Sequence, residues 1–581
     1  ILTTREIPKF LNGSNIIKLN ILDAPDVRSY VDNHLSKDKS LDRSENFSRL
    51  FDQTGGLPNH IDNFLQKLRI YTIEEILEDA DEASIELIDT ELIDKTLQQA
   101  VLLLKDSGNK TTERSFRLLK ILTVLSHGET LGNLKRFEGS DPFLHTHALQ
   151  LESSSLLEIT TVNRLLSQMS EFETDQVKIV RIPRHVRDYV NTLISEAERL
   201  EILKKGCDLY FGNKWKEGNI KNVHSTILKS REKFLNTDNC KLIIKLMLSL
   251  AIQSKNELEI GRAAMLAVNY CVHVFDNQDF KNAGSCAEEV YHLLKGTNLE
   301  QQKAIIARTY GKSLRMSNQP NLSMEILNEA LNMKPILFSN SERASMLINL
   351  GYIYERKGQY KEAVEILKDV ERLAGKGSAF ALTAQYIIAI CTLQGENLLR
   401  KLRGLETSAK KIGSIVLANN ISISISGLSI PESDKNKRYE KILSESNDNY
   451  NVIRAIATKS LQILEKNKGD ISDQDLLLLS KAYSYLHSQK MPELFLQCHK
   501  ALWLICIKRD LIANLVNLFR YSSFFWRIQG FVEPEQKYFD ELNKNYGIKI
   551  NELLATGQIN INGEYFNRRK IEFEKSMLLL Q

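Results

Sequence analysis

From Asp23 onward, apolar residues recur three and four positions apart, the spacing of amphipathic helices, and this continues almost to the end of the chain. Val27, Tyr30, Val31 and Leu35 form the first stripe, opened by Asp23-Ala24-Pro25-Asp26, a sequence suited to a helix N-terminal cap. Phe47, Leu50 and Phe51 form the second. After a Gly55-Gly56-Leu57-Pro58 turn, Ile61, Phe64, Leu65 and Leu68 form the third. Between 110 and 198 the pattern changes. Helices are predicted over Ser115–Ser126, Leu131–Phe137 and Pro142–Glu152, then two runs of β type, Ser155–Thr161 and Val177–Ile182, across a polar loop. From Glu198 the chain reads as helix after helix. The last stretch, Ile548 to Gln581, suggests a hairpin at Ile559–Gly563 and a terminal helix, together a cap.

The helical stretch is periodic. Gly351, Tyr354, Ala363, Leu367 and Val370 recur 40 residues earlier as Gly311, Leu314, Ser323, Leu327 and Ala330. They recur 40 residues before that as Cys271, Val274, Ala283, Ala287 and Val290. Small residues in the first slot let two helices cross closely, and large apolar ones fill the space beyond. Gly358 falls on Asn318, two residues that both accept a left-handed helix cap. The pattern resembles a tetratricopeptide repeat with longer helices, which implies a right-handed α-solenoid. The register fades after Leu382, with degenerate pairs at Leu477–Leu486 with Met491–Leu502 and Phe519–Trp526 with Glu533–Leu542. In the 110–198 stretch, three helices and a hairpin resemble a winged helix. Its third helix carries no Lys or Arg, which equips it poorly for phosphates or guanine edges, so nucleic acid is not an expected partner.

Bulk properties narrow this further. At 581 residues the chain exceeds one core, and three to five domains are expected. Long windows rich in Leu, Ile, Ala, Lys and Glu, with only 10 prolines, favour helix over sheet. A net charge of +4 is nearly balanced and gives no case for an anionic membrane surface. No apolar run approaches the ~18 residues of a membrane span, so no membrane partner is expected. The seven cysteines form no CxxC pair, and several sit in apolar helical runs, as reduced core thiols of a cytoplasmic protein would.

Two short motifs carry the chemistry. Ile1-Leu2 runs into Thr3-Thr4-Arg5-Glu6, and a buried strand ending so would offer hydroxyls and a fixed cation to a phosphate. Downstream, the Gly55-Gly56 turn places Pro58 at the first position of a helix whose amide end favours anions. In this order the two motifs resemble the STAND NTPases of the NB-ARC type. The resemblance implies a partial nucleotide site of Thr4, Arg5, Gly56, Leu57, Pro58 and His185. It also implies ATP or ADP with Mg in an intact parent, and none bound to this piece alone. Arg181–Tyr189 falls where that family carries a phosphate-sensing histidine. One register puts Pro183 in its place, another puts His185 there without a preceding Met, and a plain helix start is the alternative.

The expected order is then a remnant of an α/β nucleotide-binding domain (1–20), a helical domain (21–109), a winged helix (110–198), tetratricopeptide-like repeats (199–545) and a cap or tail (546–581). The whole is mainly α. Tyr310-Gly311-Lys312-Ser313 mimics the end of a P-loop, but Ile306 stands where its first glycine belongs, so the chain is not expected to be catalytic alone. His145 and His147, two apart on a helix, cannot share a metal. The family reading implies a switch. ADP would hold the closed form, a protein ligand on the repeats would release it, and the parent would self-associate, as in antiviral immune sensing. Competing readings are a non-enzymatic repeat scaffold and a transcriptional regulator of the maltose-regulator type.

For the ligand, the concave slots of the repeats hold Arg308, Lys312 and Arg315 on one helix and Tyr352 and Arg356 on the next. This basic and aromatic face suits an acidic or aromatic protein segment. A solvated basic face is the alternative.

Overall fold

The computed structural model describes residues 22–34, 41, 44–68, 73, 76, 95–139, 141–162, 177–220, 237–446, 448–465 and 470–578. The fold is mainly helical. The described residues divide between two compact units, one drawn from 1–209 and 506–581, the other from 210–505. The first unit therefore combines both ends of the chain, a grouping that the linear order expected from the sequence does not contain. The Thr3-Thr4-Arg5-Glu6 motif and the strand expected over 1–20 lie outside the described residues.

The first unit opens with α1 (Ala24–Asp32), α2 (Ser44–Thr54) and α3 (Pro58–Lys67). Asp23 caps α1 as its sequence predicts, its Oδ1 accepting from the Asp26 amide at 3.1 Å. Val27, Val31, Phe47, Leu50, Ile61, Phe64 and Leu65 bury one shared core. Next come α4 (Lys95–Lys105), α5 (Lys110–Val124), α6 (Leu131–Phe137) and α7 (His145–Ser153). They lead into the antiparallel pair β1 (Glu158–Val162) and β2 (Val177–Arg181), in register Glu158 to Arg181 through Val162 to Val177. Glu129 makes an isolated bridge to Val180. Gly128 permits this approach: at φ +75°, a Cβ there would lie 2.7 Å from that of Arg181. Then follow α8 (Arg184–Thr192) and α9 (Glu196–Phe211).

The second unit runs through α10 (Thr237–Ser254) and then paired helices: α11 (Glu257–Asp276) with α12 (Phe280–Leu294), α13 (Glu300–Met316) with α14 (Pro320–Asn332), and α15 (Asn340–Arg356) with α16 (Tyr360–Ala374). Three more pairs follow: α17 (Ala379–Thr392) with α18 (Gly395–Lys411), α19 (Ile415–Ser426) with α20 (Glu432–Glu445), and α21 (Asn449–Glu465) with α22 (Asp473–Gln489). After α23 (Pro492–Lys508), the chain returns to the first unit as α24 (Ile512–Ile528), α25 (Val532–Ala555) and α26 (Asn560–Leu578).

The 40-residue register is visible as geometry. The corner after the first helix of a pair is left-handed at Gln278 (φ 64°), Asn318 (φ 62°) and Gly358 (φ 72°). Each ends its helix with a six-residue backbone closure, such as Gln359 N–H to Tyr354 O at 2.9 Å. A Cβ on Gly311 would meet the Leu327 side chain at 2.7 Å, and one on Gly351 the Leu367 side chain at 2.8 Å. These are the small–large pairs of the repeat. Each first helix from α11 to α19 also packs on the first helix of the next pair, which stacks the array. Apolar side chains fill these junctions; Leu367, Val370, Leu382, Ile387, Leu402, Leu417 and Ile421 share one core. Caps mark the helix starts, as at Ser339, whose Oγ accepts from the Glu342 amide while Glu342 returns the bond.

One sequence expectation fails on the described residues. Ile559–Gly563 is not a hairpin; α26 begins at Asn560. Ile559, Gly563 and Phe566 fall at i, i+4 and i+7, and their burial on one helical stripe outweighs the short β-like alternation.

Candidate functional site

Of the nucleotide residues predicted from sequence, the structure describes four. Gly55 and Gly56 both take positive φ, 58° and 72°, and Pro58 begins α3 as expected. The Gly56 carbonyl accepts from the Leu22 amide at 3.0 Å, and a Cβ on Gly56 would overlap the Leu22 carbonyl. The turn is thus fastened to the backbone just before the α1 cap. Leu57 is half-buried and Pro58 exposed. His185 lies exposed in the first turn of α8, a helix that packs on α4 and α5. Thr4 and Arg5 are outside the described residues. His147 is a local capping group, its Nδ1 accepting from the Leu144 amide at 3.0 Å.

The five repeat residues do converge, on the inner face of the second unit. Each has a defined neighbour. Arg308 pairs with Glu342 at 2.6 Å, and Lys312 Nζ lies 4.6 Å from the centroid of the Phe275 ring. Arg315 donates from Nε to Asn349 Oδ1 at 2.6 Å and stacks on Tyr352 at 5.0 Å. Arg356, exposed, reaches Glu493 on α23 at 2.5 Å. Lys312, Arg315 and Tyr352 keep some contact with solvent while protein surrounds them on nearly every side. That is the position of side chains at the bottom of a narrow groove.

Three residues that the sequence did not single out complete this surface. Tyr386 on α17 shares a hydrogen bond with Ser424 at 2.7 Å. On α21, Arg454 stacks over Tyr450 at 5.5 Å and donates to Asn420 Oδ1 at 2.9 Å. Tyr450 and Arg454 are four apart on one helix, so their shared face was readable; that they lie near Arg315 and Tyr352 was not.

Among the described residues, no carboxylate lies within ion-pair distance of Lys312, Arg315 or Arg454; amides and aromatic faces hold them instead. Burial, with the repulsion of Arg308 and Arg315, outweighs the attraction of Asp276 and Glu342 and lowers the Lys312 pKa to about 8. Burial also lowers the Arg315 pKa and raises those of the Tyr352 and Tyr386 hydroxyls.

One family match falls on helices α15 and α16. Residues 344–376 match the family model of the tetratricopeptide repeat. The matched segment spans most of one helix pair and supplies Tyr352 and Arg356. No curated protein matches the chain. Tetratricopeptide repeats are protein-interaction modules, so the second unit is a helical-repeat array of a kind that holds protein partners. Among the described residues no helix is long and apolar enough to cross a membrane, and no His, Cys, Asp and Glu side chains cluster as metal ligands would.

Proposed function

We propose that the inner face of residues 210–505 binds an acidic segment of a partner protein. The observation that carries this is three cations, Lys312, Arg315 and Arg454, that make no ion pair among the described residues and lie beside the tyrosines of the inner face. Anionic side chains there would gain charge-assisted hydrogen bonds with little competition from water. The test is fluorescence anisotropy with labelled decaglutamate. Lys312→Glu with Arg315→Glu should weaken binding at least tenfold and flatten its salt dependence, with helix content unchanged by circular dichroism. The anion needs Lys312 protonated, so affinity should fall as pH rises through about 8, the direction set by its lowered pKa. Unchanged binding by the double variant would place the ligand elsewhere.

We further propose that the first unit is the regulatory end of a STAND-type nucleotide switch that senses this partner, in the defence setting the family resemblance implies. The order of Thr3-Thr4-Arg5 and Gly56-Leu57-Pro58 supports it. So do the helices α5 to α7 followed by the β1–β2 pair, the order of a winged helix. Nucleotide would be ATP or ADP with Mg, shared with a phosphate-binding domain of a parent protein. Residues 1–581 should therefore bind Mg·ADP no more tightly than about 1 mM, since they supply only part of such a site. A micromolar Kd by calorimetry would overturn the partial-site reading.

A further inference from the structure

Successive helix pairs of the second unit share apolar cores as well as polar contacts, and its first and sixth pairs are joined by a seam of hydrogen bonds. The corner between α11 and α12, Asn277 to Lys281, lies against α21 and α22. The Tyr485 hydroxyl donates to the Gln278 carbonyl at 2.5 Å. Gln489 bridges twice, donating to Asp279 Oδ1 at 2.7 Å and accepting from the Lys281 amide at 2.9 Å. The Tyr450 amide donates to Gln278 Oε1 at 3.2 Å. Tyr485 and Gln489 are nearly fully buried, at 3% and 4% exposure.

This seam brings α21 over the groove. Arg454 and Tyr450 of α21 reach the surroundings of Tyr352 and Tyr386, and Tyr450 those of Arg315. Helix α21 thus forms one wall of the groove, and the seam that holds it sets how far the groove stands open. Hydrogen bonds exchange against water at small net gain, whereas an apolar junction does not. The seam is held by hydrogen bonds that water can replace as it parts.

We propose that this seam is a gate: α21 and α22 close the inner face, and an acidic partner enters when the Asn277–Lys281 corner leaves Tyr485 and Gln489. The proposal rests on the partner reading above and adds its regulation. A site competent only when open binds with an affinity reduced by the open fraction. A partner that prefers the open form must in turn shift the seam toward it.

The Lys281 and Tyr450 amides report the seam directly, because each donates across it from the first turn of its helix. Saturating decaglutamate should speed their hydrogen exchange at least tenfold in the full chain. Tyr485→Phe combined with Gln489→Ala should tighten decaglutamate binding at least tenfold. Tyr485→Phe alone, which removes one hydroxyl and leaves the ring, should give a smaller gain in the same direction and guards against misfolding of the double variant. Equal affinities for wild type and both variants, with exchange at the two amides unchanged by peptide, would overturn the gate and leave the partner reading standing. If the Tyr450 amide exchanges faster in the double variant yet no protein binds the peptide, the partner reading falls and the gate with it.

Discussion

Glu535→Ala should destabilise the first unit by about 3 kcal/mol, the cost of leaving one member of a buried ion pair behind. Glu535 is 2% exposed and accepts from Nε and Nη2 of Arg569, both at 2.9 Å, and from Ser523 at 2.5 Å. Without it the Arg569 guanidinium, itself 9% exposed, keeps only Glu572 and the face of Phe573. The measurement is the free energy of opening at the slowest-exchanging amides of α24. The paired replacement Glu535→Leu with Arg569→Met should stay within about 1 kcal/mol of wild type, since it removes both charges from the interior. Acid should act on the same network. Burial pushes Glu572 up, but Arg569, Asn33 and Arg527 more than offset it and hold its pKa below the usual carboxylate range. A carboxyl with a depressed folded-state pKa adds stability above its unfolded value. That share is lost as pH falls through the folded one. A loss under 1 kcal/mol for Glu535→Ala would mean that water already reaches the pair.

Separating the two units should give an all-or-none contrast. Residues 196–508, cut so that α9 and α23 stay whole, should fold as a helical polypeptide with a cooperative transition, because a repeat array draws its stability from neighbouring pairs. Residues 509–581 should show little helix and be digested within minutes by trypsin under conditions that leave 196–508 intact. Their helices depend on the start of the chain. Ile528 and Phe524 pack into the α1–α3 core, Phe524 lying 5.9 Å from Phe47. Arg520 pairs with Asp23, Arg527 with Asp32, and Arg568 with Asp26 at 2.6 Å. Four of these side chains, Phe524, Ile528, Arg520 and Arg527, would be stranded in the isolated piece. Protease resistance of 509–581 alone would show that α24 to α26 suffice for one another.

The sequence by itself determined what depends on neighbours along the chain. Asp23 caps α1, Pro58 starts α3, and the 40-residue register reappears as left-handed corners at Asn318 and Gly358 and as Gly311 and Gly351 against Leu327 and Leu367. Caps, turns and helix-pair crossings involve residues a few to a few tens of positions apart, so their requirements recur as a readable pattern. The basic face of Arg308, Lys312 and Arg315 was legible for the same reason, as i, i+4 and i+7 of one helix. Only the tertiary structure decided where those faces go. A cation reads the same in sequence whether it is solvated, paired with Glu342 as Arg308 is, or stacked on a ring as Arg315 is. The return of α24 to the N-terminal helices and of α22 to Gln278 joins residues about 500 and 200 positions apart. Such contacts form once and leave no period, because long-range pairing depends on how the intervening helices stack and not on any local preference of the residues that meet.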